Sequence, residues 1–368
     1  MKGKSRAMVL TAPNQFSMQT FELPEVGDED GILKMELVGV CGSDVGISQG
    51  KETFGPRPFP LIMGHEIVGR IAEMGEAAKK RHGVKEGDRV VIEYAFGCGM
   101  CEACAQGHYT TCENHWNYGS MISCKDSPHL YGGYSEYLYI HPNAKVHYIG
   151  DDISPELGVL ICAVMGNAIR WLRQEGGVSI GDAVAILGPG QQGLAGVAVA
   201  KESGASPIFV IGLSKDKKRL EMAKRFGADV VIMADQQDAL AMVRQATGGR
   251  MANVVMDVTG HFSGAELALP LTGRRGALVL PGMYKHQKAS LDLDIVVTRE
   301  IRIQGVFSHD SPAVRAAIKM ARSGRYPFEE LISKRLPLSQ AEQAVKMVAG
   351  EMGEQMPLKV VLDPSILQ

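Results

Sequence analysis

Cys98, Cys101, Cys104 and Cys112, in CGMCEACAQGHYTTC, are separated by two, two and seven residues. Thiolates bind zinc tetrahedrally, and a structural site takes four protein ligands with no position left open. The first three cysteines can wrap an ion from one loop, and Cys112 closes the tetrahedron after a short excursion. Gly97, Gly99 and Gly107 supply the tight turns such a lobe needs. Two other readings stand beside this one: an iron–sulfur cluster, which four cysteines also hold, and a chance group of free thiols.

A second set of ligand-type residues is scattered. GVCGSD carries Cys41, Ser43 and Asp44; GHEIVG carries His65 and Glu66; ELGVLICAVMGNA carries Cys162. Each alone is ordinary, since a lone buried cysteine is usually a small hydrophobe. Together they supply Cys, His and Cys, a ligand set of catalytic zinc that leaves one position for water or substrate.

The third element of chemistry is AILGPGQQG, which ends a buried apolar run and opens an alanine-rich one. This is the setting of the dinucleotide fingerprint. Gly188 permits the turn, Gly190 lets the backbone approach a pyrophosphate, and Gly193 allows close helix–strand packing, with helix amides facing the phosphates. An acid expected about 20 residues on would grip a ribose hydroxyl. The next apolar run ends FVIGLSKDKKR, with Gly212 at its tip followed by Ser214 and Lys215. The hydroxyl and the cations incline the choice between NAD and NADP toward NADP. Asp216 remains within reach of a ribose, and the lysines also read as the solvated first turn of a helix.

The elements that must position these groups fall into two textures. Residues 1–150 are strand-like and turn-rich (GILKMELVGV, IVGRIAEMG, DRVVIEYA, YSEYLYIHP), as in a small all-β barrel or sandwich. From about residue 160, short buried runs at Val184–Leu187, Ile208–Ile211 and Val230–Ile232 alternate with helical stretches, the pattern of a parallel doubly wound sheet. A helix near SPAVRAAIKMARSG and a strand at LKVVLD close the chain.

With 368 residues, two domains are expected. A net charge of -2 offers no basic surface for nucleic acid and no polybasic membrane anchor. The N-terminal residues lack a signal-peptide h-region, and no run of 18 apolar residues occurs. A cytoplasmic protein is the expectation, and in a reducing compartment clustered cysteines more often bind metal than form disulfides.

GVCGSD, GHE with a glycine three residues on, the cysteine quartet and the later GxGxxG, in this order and spacing, resemble the zinc-dependent medium-chain dehydrogenase/reductase family, which includes alcohol, sorbitol and threonine dehydrogenases. The resemblance implies an α/β architecture: a GroES-like β-barrel catalytic domain at 1–163 with a structural zinc lobe at about 94–115, a Rossmann NAD(P)-binding domain at 164–306, and completion of the first domain by 307–368. It implies two zinc ions per chain. Cys41, His65 and Cys162 would hold the catalytic one, with Glu66 beside it as a transient ligand, and Cys98, Cys101, Cys104 and Cys112 the structural one. Ser43 would take the proton of an alcohol, and Asp44 would orient His65 through its other ring nitrogen. Cys124 is left as an ordinary thiol.

The implied reaction is hydride transfer between an alcohol and NAD(P), with a small-molecule alcohol or carbonyl as partner and a homodimer or homotetramer as the assembly. The other class of reading is a non-catalytic cofactor-binding protein of the same fold. Two departures from the family pattern stand out. Gly46 replaces a common relay histidine, which leaves Ser43 with a ribose hydroxyl or a water. CGSDV reads like polyol and secondary-alcohol enzymes, yet polyol members usually carry Glu where this chain has Cys162. A secondary, cyclic or polyol alcohol is expected. Glu93 and Tyr94 fall near the catalytic zinc by resemblance, with a strand-end surface charge as the other reading of Glu93. Trp116 and Tyr118 follow the lobe and either line the substrate site or pack the lobe.

Overall fold

The computed structural model describes residues 2–51, 58–353 and 357–366. It separates into two compact units, Met1–Ala163 with Phe328–Gln368, and Val164–Pro327.

The first unit is built largely of antiparallel strands. Its seven-stranded sheet centres on Gly31–Val40, which pairs with Glu66–Met74, Tyr137–Ile140 and Lys359–Asp363. That centrality explains its composition: GILKMELVGV is buried almost throughout rather than alternating. Arg89–Ile92 extends the sheet beyond Glu66–Met74, and Ile332–Pro337 runs parallel to Lys359–Asp363 at the far side. A three-stranded sheet, with Lys4–Ala12 between Gln15–Glu22 and Leu61–Ile62, accompanies it.

The register at the C-terminal end of Gly31–Val40 gathers ligand-type residues. Gly39 has Glu66 opposite it on one neighbour and Val361 on the other. The Glu66 carboxylate occupies the space a Cβ at Gly39 would need, so a side chain there would have to displace it. Cys41 stands just past this strand end and His65 just before the neighbouring strand, so antiparallel pairing brings the two together.

The second unit is a six-stranded parallel sheet ordered Val230–Met233, Ile208–Gly212, Val184–Leu187, Ala252–Asp257, Thr272–Leu280, Arg302–Gly305. In chain order this is 3-2-1-4-5-6, the doubly wound dinucleotide-binding arrangement. The compact unit runs on to Pro327, beyond residue 306. Arg170 Nη1 donates to the Phe307 carbonyl at 2.9 Å and Trp171 Nε1 to the Ser308 carbonyl at 3.0 Å. Beyond the helix Ser311–Arg322, Arg325 and Tyr326 bond Glu202 at 2.6 and 2.7 Å. These ties hold residues 307–327 to the parallel-sheet unit.

Pro155–Glu175 is long and apolar enough to cross a membrane by length and composition, but 78% of it is buried inside the protein. It begins as an α-helix capped by Ser154, whose Oγ accepts from the Leu157 amide, and continues through π-helical turns at Ile161–Gly166 and Ile169–Glu175. Turns of that kind inside helices frequently mark functional sites, and Cys162 lies in the first.

Candidate metal centres and cofactor loop

All seven cysteines are unpaired. The four Sγ atoms of Cys98, Cys101, Cys104 and Cys112 lie within 4.8 Å of one another. Two separations, Cys101–Cys112 at 3.6 Å and Cys98–Cys104 at 4.0 Å, bracket the edge of about 3.8 Å that zinc–sulfur bonds of about 2.3 Å require in a tetrahedron. That spacing suits one ion better than a cluster of several irons. Backbone amides of Met100 and Cys101 bring the Cys98 thiol down to about 6, whereas burial pushes that of Cys104 up to about 12. Behind the lobe, Phe96 packs on Trp116, Tyr118 and His141. Tyr118 is fully buried and its hydroxyl accepts from the His141 amide at 2.9 Å. Tyr118 thus packs the lobe, and Trp116 lies over the same cluster. Cys124 is buried, and that burial pushes its thiol up.

The second group forms where the end of Gly31–Val40 meets the start of Glu66–Met74. Ligand atoms of Cys41, His65 and Glu66 lie within 4.8 Å of one another. Cys41 caps the helix Gly42–Ser48, and its amide donates to Asp44 Oδ2 at 2.9 Å. Asp44 is wholly buried; the Tyr134 hydroxyl donates to it at 3.1 Å, and its other oxygen faces His65 Nδ1 at 3.4 Å. His65 Nε2 is therefore the nitrogen turned to the ligand group, with Ser43 Oγ 3.2 Å away. Burial opposes charge on His65, but Asp44 and then Cys41 outweigh it, so its pKa sits well above the usual value. The Tyr94 ring meets that of His65 edge-on at 5.6 Å between centres.

Cys162 is not part of this tight group, though it is buried in the same unit and feels its carboxylates. Burial, then the charges of Glu93 and Glu66, hold its thiol well above the ordinary range. The charge partner of Glu66 is Lys359, fully buried on the C-terminal strand. Of the two readings of Glu93, the surface charge fails: the side chain is 1% exposed and engaged by Tyr109 and by His147. Lys359, Tyr134 and His147 escape sequence reading because each acts across strands distant in the chain. The faint signal is a lysine set among apolar residues in LKVVLD.

In the second unit, Gly188 takes φ +102, a left-handed value that favours glycine, and a Cβ on Gly193 would collide with the Gly188 carbonyl. Gly190 caps the helix Gln191–Glu202 and has open space where a side chain would project. These are the requirements of a loop against which a pyrophosphate can lie. At the tip of Ile208–Gly212, a Cβ on buried Gly212 would meet Pro189 at 2.9 Å. Ser214 donates its amide to Asp235 at 2.8 Å and its hydroxyl to the same carboxylate. Asp216 turns back to accept from the Leu213 amide at 3.2 Å, while Lys215 is exposed. Asp235 is the member of this group that sequence reading missed.

Residues 27–151 match the alcohol dehydrogenase GroES-like domain, and residues 193–323 the zinc-binding dehydrogenase domain. A probable alcohol dehydrogenase of Mycobacterium tuberculosis is 38% identical, over 98% of each chain. The chain belongs to the zinc-dependent medium-chain dehydrogenase/reductase family. An erythritol/L-threitol dehydrogenase of Mycolicibacterium smegmatis is 30% identical, over 94% of this chain and 95% of the relative. Among solved structures, an alcohol dehydrogenase of Thermotoga maritima superposes with a TM-score of 0.89 at 27% identity, covering 99% of this chain and 100% of that one. The fold of this family, a GroES-like domain plus a Rossmann-like parallel sheet, is the one expected. Like its relatives, the chain is an alcohol oxidoreductase of the family; they lend no support to a non-catalytic reading.

Proposed function

We propose that the chain catalyses zinc-dependent hydride transfer between a secondary, cyclic or polyol alcohol and a nicotinamide cofactor, giving a ketone or aldehyde. The observation that carries this is the convergence of Cys41, His65 and Glu66, with His65 Nδ1 turned to buried Asp44 and Nε2 left for a metal. Cys162 would complete the ligand set from its π-helical turn. Zinc held there would supply a Lewis acid that lowers the pKa of an alcohol, and the nicotinamide would accept the hydride.

The chain's own residues do the rest. Ser43, exposed beside His65, takes the proton of the alcohol hydroxyl as it passes its own proton on to a ribose hydroxyl or a water, Gly46 offering no relay group. Asp44 fixes the tautomer and tilt of His65, and Tyr134 and the Cys41 amide fix Asp44 in turn. Glu66, tethered by Lys359, stands in reserve beside the ligands. The amides at the start of Gln191–Glu202 bind the cofactor phosphates, and Gly188, Gly190 and Gly193 give them access. The four-cysteine lobe holds a second, structural zinc.

For the cofactor, the absence of an acid at Gly212 and exposed Lys215 support NADP over NAD, with Asp235 the group a 2′-phosphate would displace from Ser214. The unpaired cysteines support a cytoplasmic setting. Exposed Leu293, Val297 and Ile303, the last on the free edge strand Arg302–Gly305, support a homodimer or homotetramer.

Nicotinamide absorbance with primary, secondary, cyclic and polyol alcohols, with NAD and with NADP, before and after zinc chelation, tests this. Chelator-sensitive turnover of secondary or polyol alcohols is expected. Zinc-loaded protein inert toward every class would overturn the proposal.

A further inference from the structure

One buried carboxylate joins the four-cysteine lobe to the stretch of chain whose next residue, Tyr94, meets the His65 ring. Glu93 follows the strand Arg89–Ile92 and is 1% exposed. One of its oxygens accepts from the Tyr109 hydroxyl, and the other lies 2.7 Å from His147 Nε2. Tyr109 belongs to the lobe: it opens the 3-10 turn Tyr109–Thr111 that leads into Cys112, and its Cβ packs against Gly97 beside the Cys104 sulfur. The Lys145 ammonium stands 5.7 Å from the centre of its ring.

On the other side the carboxylate is held to the main sheet. His147 pairs with Val91, and the Glu93 amide donates to the Lys145 carbonyl at 3.0 Å. The next residue, Tyr94, sets its ring edge-on against that of His65, 5.6 Å between centres. Burying a carboxylate costs several kcal/mol unless it is bonded and paired. A neutral glutamine would fill the same volume and still bond Tyr109, so packing of the lobe does not account for the charge.

We propose that Glu93 is a positioning residue that couples the order of the four-cysteine lobe to metal affinity at the Cys41–His65–Cys162 centre, with Tyr109 as its link on the lobe side. The inference rests on reading that centre as a zinc site. When Cys104 and Cys112 are drawn to one ion, the turn between them is fixed and the Tyr109 hydroxyl holds the carboxylate in place. When they are released, Glu93 loses a donor, and the seat of the adjoining Tyr94 on His65 changes.

The test uses full-length protein loaded with zinc and, separately, with cobalt(II). Cys41→Ser first identifies the ion of the proposed catalytic centre by its loss. Tyr109→Phe and Glu93→Gln are expected to weaken retention of that ion against a chelator by about 10-fold, the lower end for residues that orient metal ligands, and to shift its cobalt spectrum. The lobe ion stays bound in both. Phe96→Leu loosens lobe packing without touching Glu93, and is expected to lower the melting temperature with neither change. Wild-type retention and spectrum in Tyr109→Phe and Glu93→Gln would overturn the coupling, as would the same shifts in Phe96→Leu. Retention of both ions by Cys41→Ser would remove the centre on which the inference rests. Should Glu93→Gln fail to fold, Tyr109→Phe, which removes a single hydroxyl, carries the test.

Discussion

Lys359 Nζ lies against the Glu66 carboxylate, and both side chains are shut off from solvent. Each ion leaves water at high cost and is held there chiefly by the other, so removing one strands its partner. Lys359→Met is expected to lose about 3–5 kcal/mol of stability, the range for breaking a buried pair. Adding Glu66→Gln should recover most of that loss. Urea unfolding of the single and double variants measures both; a single variant as stable as wild type would show that the pair carries no such burden.

The two cysteine groups should respond differently to the loss of one thiol. Closed structural sites contribute folding energy outright, whereas an open site leaves the surrounding sheet intact. Cys101→Ser and Cys41→Ser should each lower the zinc content by one ion per chain, but only Cys101→Ser should lower the melting temperature substantially. Metal analysis paired with calorimetry reads this, and equal melting in both would refute the division of roles.

Stability should also fall in mild acid through His82. Burial, together with Arg81, Lys145 and His147, brings its pKa down to about 4, against about 6.5 for an unfolded histidine. The unfolded chain therefore takes up a proton below about pH 6.5 that the folded chain refuses until about pH 4. The contribution is fully present above 6.5 and is lost as pH falls through that window. The melting temperature should drop between pH 7 and pH 5, and His82→Gln should flatten the drop. A variant with the wild-type slope would rule His82 out as a source.

At the tip of Ile208–Gly212, an exposed lysine and a carboxylate that engages Ser214 act in opposite senses on a 2′-phosphate. Lys215→Ala should raise KM for NADP by about threefold, the scale of one exposed charge, with little change for NAD. Asp235→Asn should lower KM for NADP. Steady-state kinetics with both cofactors decides; indifference to both changes would place the discriminating groups elsewhere.

What was legible in the sequence was local in the chain. The cysteine quartet and GPGQQG each complete their geometry within about fifteen residues, so spacing alone carries the chemistry. The pairing of Cys41 with His65 needed the family pattern, because it is made by register between two strands. What spacing could not reveal was anything completed by a third strand. Lys359 reads as a routine strand lysine until the fold sets it against Glu66. Glu93 ends its strand where a surface charge is common, and its partners Tyr109 and His147 lie far along the chain. The ties at Phe307, Ser308 and Tyr326 are to backbone and surface groups, which carry no sequence signature.

The strand that supplies Lys359 has a further consequence during synthesis. Gly31–Val40 is made early, yet its neighbour Lys359–Asp363 emerges only after the whole parallel-sheet unit has left the ribosome. Until then the Val38–Val40 end of that strand edge is left unpaired, open to any other chain with strands to offer. Glu66 likewise waits without its counter-ion. The parallel-sheet unit, whose strands are contiguous in the chain, meets no such delay. Chains released early would therefore be the ones that aggregate, and the final residues act as the seal on the unit that the first residues begin.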